Sequence, residues 1–246
     1  MSLLKKAVIK FLLRPLSENL GLPKWCRKPS HNDLDFKLSK YLNFRNGVFI
    51  EAGANDGYSQ SNTFFLEKGL KWKGLLIEAI PELYNKCKKT RSRSVVIHGG
   101  LVSRNYKKNK IKIHYANLMS IAEGAMAPQS MASHIKKGIE CQDIEESYII
   151  EVPSLTFKEA LKQAGFSKVD FLSIDLEGFD FEEIRPKYIL IEVQNLETTD
   201  SFLSSLEYRR IERMSYHDYL YTDCRVNSCQ SIIQPSNDSK DSKICI

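Results

Sequence analysis

Carboxylates stand at the ends of four apolar runs in this 246-residue chain. FIEAGANDG sets Glu51 two residues ahead of Gly53, with Asn55 and Gly57 following at every second position. WKGLLIEAIPEL ends its apolar run at Glu78, 21 residues beyond Gly57, with Ile80 next but one. SIDLEG carries Asp175 and Glu177, Glu192 closes a fourth run, and SYHDYLYTD holds His217 beside Asp218. Glycines at a strand end let the backbone approach a ligand closely and adopt dihedrals that other residues avoid. A dinucleotide fingerprint needs a third glycine and has no asparagine at its second glycine position, and a phosphate-binding P-loop needs G-K-S or G-K-T; both patterns are absent. Glu51 is a poor neighbour for a pyrophosphate and a good one for an ammonium group. Glu78 sits where an acid accepts hydrogen bonds from both ribose hydroxyls, and Ile80 where an apolar side chain covers adenine. Together these residues describe a site for a cationic nucleoside. S-adenosylmethionine, with an ammonium and a sulfonium, is one.

These groups need elements to hold them. Runs rich in Val, Ile, Leu and Phe predict strands at about 48–52, 73–78, 94–98, 169–175 and 187–193, short enough to be buried on both faces. Helical patterns fall between them in SNTFFLEKG, PELYNKCKK and TFKEALKQAG, with Pro81 fitting a first turn and Gly69 and Gly165 fitting helix ends. Strands alternating with helices predict an α/β fold, a mostly parallel sheet with helices on both faces. Ligands then bind beyond the carboxyl ends of the strands, where strand order reverses. KIKIHYA (110–116) alternates as a strand, while 117–147 shows no clear period and is expected to be an irregular, functional insert. YRRIERM and DYLYTD predict an antiparallel pair on the sheet edge. Residues 1–46 read as a helical lead-in, 47–225 as the folded domain, and 226–246 as a polar, disordered tail.

The net charge of +6 is uneven: between Lys86 and Lys112 there are ten lysines and arginines and no acid, which favours either an anionic partner or a solvated face. Residues 1–16 are amphipathic and fit peripheral membrane contact or packing against the domain. The six cysteines include no C-x-x-C pair, which argues against zinc-ribbon and thioredoxin chemistry and for reduced thiols in a cytoplasmic protein.

FIEAGANDGYSQSNTFFLEK (49–68), WKGLLIEAIPELYNK (72–86), LVS (101–103) and VDFLSIDLEGFDFEEI (169–184) resemble the FkbM family of S-adenosylmethionine-dependent methyltransferases, over roughly 47–225. The resemblance implies a class I methyltransferase fold (Rossmann-like), seven strands with the last antiparallel. It implies that Glu51, Gly53, Asn55, Gly57 and Asp175 line the cofactor, that Glu78 takes its ribose, and that adenine lies near Ile80 and the Gly99–Gly100–Leu101 turn. It also implies O-methylation of a hydroxyl on a sugar, glycan or related small polyol. A hydroxyl is a poor nucleophile until its proton is managed, so a general base or a metal is expected. Asp175, Glu177 and His217 are the candidate bases, and Asp175 with Glu192 the candidate ligands for Mg²⁺. Two alternatives stay open: an RNA methyltransferase using the basic 86–112 stretch, against which stands the lack of an aromatic stacking platform, and a non-catalytic interaction module.

Overall fold

A computed structural model describes residues 29–116, 120–124, 128–142, 147–174, 184–193 and 195–226. Eleven strands and six α-helices are described. The strands are β1 (Val48–Ala52), β2 (Lys73–Glu78), β3 (Val95–His98), β4 (Gly100–Val102), β5 (Lys110–Tyr115), β6 (Ile121–Ala122), β7 (Tyr148–Thr156), β8 (Phe171–Ile174), β9 (Tyr188–Glu192), β10 (Tyr208–Arg213) and β11 (Asp218–Asp223). The helices are α1 (Leu34–Leu38), α2 (Phe64–Leu70), α3 (Pro81–Thr90), α4 (Pro128–Gln142), α5 (Phe157–Ala164) and α6 (Leu196–Ser205).

Seven strands form the main sheet in the order β10-β11-β9-β8-β1-β2-β3. All neighbours are parallel except β11, which runs antiparallel between β9 and β10. This is the α/β, class I methyltransferase arrangement with an antiparallel element at one edge. Phe49, Ile50, Leu75, Leu76, Phe171, Leu172 and Ile189 are almost wholly excluded from solvent, as strands covered on both faces require. The chain goes from β1 out to β2 and β3, then returns to β8 on the other side of β1. The reversal of strand order therefore falls between β1 and β8.

Local chemistry sets most helix boundaries. Thr156 and Glu159 form a reciprocal capping box at the start of α5, and Gly165 ends it in the left-handed region at φ 69°. Asn195 caps α6 by accepting from the Thr198 amide at 3.0 Å. Gly69 does not end α2 as its type predicted. It lies within the helix, where a Cβ would meet the Phe65 ring at 2.9 Å, and Lys71 takes the left-handed position.

Two expectations are corrected. The region from 99 to 156 is not one strand and a loop: β4, β7, β5 and β6 form a second, four-stranded sheet, and α4 occupies 128–142 within the supposedly irregular insert. The chain leaves the main sheet at Gly99, where a Cβ would lie 3.0 Å from the Pro153 carbonyl oxygen, and enters the second at Gly100, where it would lie 2.8 Å from Ile111. Alternation of Ile111, Ile113 and Val152 builds a small core against Ile80 and Leu83 of the α3 end, so this sheet walls the carboxyl side of β2. Nor does the domain begin at Gly47. Leu34, Leu38 and Leu42 are buried against Phe49, Leu66 and Trp72, so part of the 1–46 lead-in is core. Residues 1–28 and 227–246 lie outside the described residues, with the amphipathic 1–16 and nearly all of the tail. Among the described residues no helix is long and apolar enough to cross a membrane.

Candidate active site

A cavity of about 380 Å³ opens at the carboxyl ends of β1, β2, β8 and β9, on the reversal point and within the size range of small-ligand sites. Its floor is Gly53, Ala54 and Asn55; Ile80 and Gly99 to Leu101 form one end, and Ser173, Ile174 and Glu192 the other. Gly53 (φ 79°), Asn55 (φ 51°) and Gly57 (φ 77°) give the loop its turns. A Cβ on Gly53 would meet nothing within 4 Å; it is the backbone conformation there that selects glycine, and the space beside it is cavity. Gly57 belongs to the other side. It does not line the cavity but packs on Arg91 and Cys87, whose side-chain atoms a Cβ would meet at 2.8 and 2.9 Å.

Glu78, at the end of β2, accepts from the Asn55 amide at 2.7 Å on one oxygen and the Ile80 amide at 2.8 Å on the other. Each oxygen keeps a second lone pair, so the group can also accept from a diol. Burial raises its carboxyl above the ordinary 4.5, and the backbone donors of Ile80 and Asn55 offset this in part. Glu51 lines the cavity as well, but its oxygens are occupied. They accept from Ser61 Oγ (2.9 Å), the Asn62 amide (2.8 Å) and Thr63 Oγ1 (2.7 Å), with Arg91 Nη1 at 3.6 Å. Asn62 in turn donates from Nδ2 to Ser173 Oγ at 3.1 Å, tying this turn to β8 across the strand ends. Asp56 is a turn-former: its carboxylate accepts from the amides of Tyr58 and Ser59. Burial alone would raise its carboxyl, and those hydrogen bonds outweigh it and hold it low.

Asp175, Glu177 and Gln194 lie outside the described residues; β8 leads to the first two from Ile174, whose neighbour Ser173 shares the cavity wall. Glu192 stands at the mouth. Desolvation raises its carboxyl, the Asp218 charge adds to this, and His217 and His31 oppose it. His217 itself does not line the cavity: its ring packs edge-on against Tyr216, centroids 4.6 Å apart, in the turn before β11. Asp218, which pairs with Glu192 across β9 and β11, takes the place in the wall. Among the described residues no group of three or more His, Cys, Asp or Glu side chains is arranged to hold a metal.

Part of the wall comes from outside the expected domain. His31 and Leu34 reach the cavity from a lead-in assumed to lie outside the domain. Ser120 and Ala122, from the 117–147 segment expected to be functional, close it near Ile113. Arg91, counted among ten surface cations, is wholly buried behind the glycine loop. Cys87 beside it is a packing residue, its thiol pushed up to about 12 by burial.

Residues 51–221 match the family model described as the methyltransferase FkbM domain. The chain belongs to the FkbM methyltransferase family. Most of the FkbM domain's cavity wall falls inside the matched span, with Glu51 at its first residue and Asp218 near its last. No curated protein sequence matches the chain. Among solved structures, a human methyltransferase 10 domain containing protein is similar at 12% identity, covering 90% of this chain and 97% of that one, with a TM-score of 0.43. An RNA methyltransferase from Salinibacter ruber bound to S-adenosyl-L-homocysteine gives 11%, 80%, 92% and 0.39. The TrmK structure from M. capricolum, also with S-adenosyl-homocysteine, gives 11%, 76%, 66% and 0.36, so the FkbM domain spans about two thirds of the length of that chain. The strand order and the family match, rather than these likenesses, carry the fold assignment.

Proposed function

We propose that this FkbM domain binds S-adenosylmethionine in the cavity over β1 and β2 and catalyses methylation of a hydroxyl on a sugar, glycan or related small polyol. The observation that carries the reading is Glu78. It is a buried carboxylate at the end of β2, held by two backbone amides, with lone pairs left for a ribose diol and with Ile80 beside it as an apolar cover for adenine. Gly53 leaves the open space that the methionine part requires. Glycine at 99 and 100 is explained by the sheet crossing, so adenine is met there by backbone and by Leu101.

The bound cofactor supplies an activated methyl group. The chain must align the acceptor for in-line attack and take its proton. Asp175 and Glu177 follow β8 in the sequence, and Glu192, its carboxyl raised by desolvation, lines the cavity from β9. Glu192, Asp218 and His31 line the acceptor side of the site, and Asp175 and Glu177 stay candidate bases on the strength of the sequence. His217 affects it through its charge at Glu192.

A second reading, a nucleic-acid acceptor, has one observation in its favour. Tyr115 and Tyr148 stack with centroids 4.7 Å apart at the outer end of the second sheet, Tyr148 being 46% exposed, and Lys107, Lys108, Lys110 and Lys112 are exposed nearby in sequence. This aromatic pair was not foreseen.

Incubation with labelled S-adenosylmethionine and fractionated glycans, RNA and small metabolites separates the two readings. Label is expected in the glycan or polyol fraction. Label confined to RNA, with binding that weakens steeply as salt rises, would establish the second. A chelator arm tests whether Mg²⁺, with Asp175 and Glu192 as candidate ligands, is required.

A further inference from the structure

Arg91 follows the last residue of α3 and is 0% exposed. Its guanidinium faces two ways. On the helix side Nε donates to Glu67 of α2 at 3.0 Å. On the loop side Nη1 donates to the Gly57 carbonyl at 3.1 Å and to Ser61 Oγ at 3.0 Å, and Nη2 donates to Thr63 Oγ1 at 2.6 Å. Nη1 also lies 3.6 Å from Glu51 Oε2, an ion pair. The rings of Phe49 and Phe64 lie 5.1 and 5.8 Å from the guanidinium carbon, which keeps water out and strengthens every one of these bonds. Arg91 does not itself line the cavity, yet Glu51, Ser61 and Asn62, which form one wall, are held by it directly or through one further hydrogen bond.

We propose that Arg91 is a positioning residue for cofactor binding, clamping the 57–63 turn from behind and acting through Glu51 to fix Ser61 and Asn62 at the cavity wall. This rests on the S-adenosylmethionine reading above and refines it. Glu51 then serves the site by shaping the turn, since its oxygens are occupied by protein donors. Behind the loop the carboxylates of Glu51 and Glu67 face two cations, Arg91 and Lys68, the latter with Nζ 3.2 Å from Glu67 Oε1, so Arg91 supplies one of two balancing positive charges. Lysine in place of Arg91 keeps that charge but offers a single nitrogen, which cannot serve Glu67, Gly57, Ser61 and Thr63 together.

The test uses the full chain and S-adenosylhomocysteine as probe, in calorimetric titrations of wild type, Arg91→Lys and Glu67→Gln, with thermal melts and hydrogen–deuterium exchange of residues 53–63 in the ligand-free proteins. Arg91→Lys is expected to weaken binding about tenfold or more, the worth of one charge-assisted hydrogen bond, and to speed exchange across 57–63. Glu67→Gln is expected to lower Tm while binding stays within about twofold of wild type. Thr63→Val, isosteric and outside the cavity, removes one loop-side partner and takes the place of Arg91→Lys should that variant not fold. The proposal is overturned if the loop-side variant binds and exchanges like wild type, or if Glu67→Gln loses affinity in the same proportion to its Tm. Wild type failing to bind the probe at all would sink the cofactor reading instead, while the exchange comparison would still decide the clamp.

Discussion

At the residue scale, the role proposed for Glu78 couples cofactor binding to pH. The Glu78 carboxyl is raised above 4.5 by burial, and hydrogen bonds from a ribose diol favour the ionised form, so binding lowers it again. Affinity for S-adenosylhomocysteine is therefore complete above the raised value and is lost as pH falls through it. Titrations from neutral pH downward should show binding weakening in that window with proton release, and Glu78→Gln should flatten the dependence and cost about tenfold in affinity. A wild-type affinity that stays level through the acid range would contradict the assignment. Glu67 shows the opposite sign. Burial would raise it, but the Arg91 charge and the Ser94 hydroxyl outweigh burial and hold its carboxyl low. Its contribution to stability is full above 4.5 and disappears as pH drops through the depressed value.

At the element scale, the site depends on a chain crossing from one sheet to another at Gly99 and Gly100. Gly100→Ala puts a methyl 2.8 Å from Ile111 Cγ2, an overpacking expected to cost about 1–3 kcal/mol. A chemical denaturation midpoint unchanged from wild type would show that the crossing has slack. The main sheet was legible in the sequence because its strands are buried on both faces and written as near-continuous apolar runs; β1, β2, β3, β8 and β9 fall within two residues of expectation. The second sheet was not. Its strands are solvated on one face and β4 has three residues, so the glycine pair at 99–100 read as a turn. Arg91 was illegible for a different reason: nothing in K-K-T-R-S-R-S marks which cation will be buried, and that is decided by Glu51 and Glu67, 40 and 24 residues away. Glu51, Gly53, Asn55 and Glu78 line the cavity together because their spacing is fixed by two strand ends, though the protein donors on Glu51 were not legible.

At the scale of the whole molecule, the catalytic sheet and the segment before it are one folding unit. Leu38 is 1% exposed and packs with Phe49 and Trp72. Leu38→Ala should cost about 2–5 kcal/mol of unfolding free energy, and a chain starting at Gly47 should fail to melt cooperatively; a truncated chain with wild-type Tm would restore the lead-in to a mere appendage. This FkbM domain is proposed to hold a cationic nucleoside over β1 and β2. The most direct measurement is calorimetric titration of S-adenosylmethionine into the purified full chain. Saturable binding at one site, with Glu78→Ala weakening it by about tenfold or more, is the expected result; no heat of binding at millimolar ligand, or equal binding by wild type and variant, would contradict it.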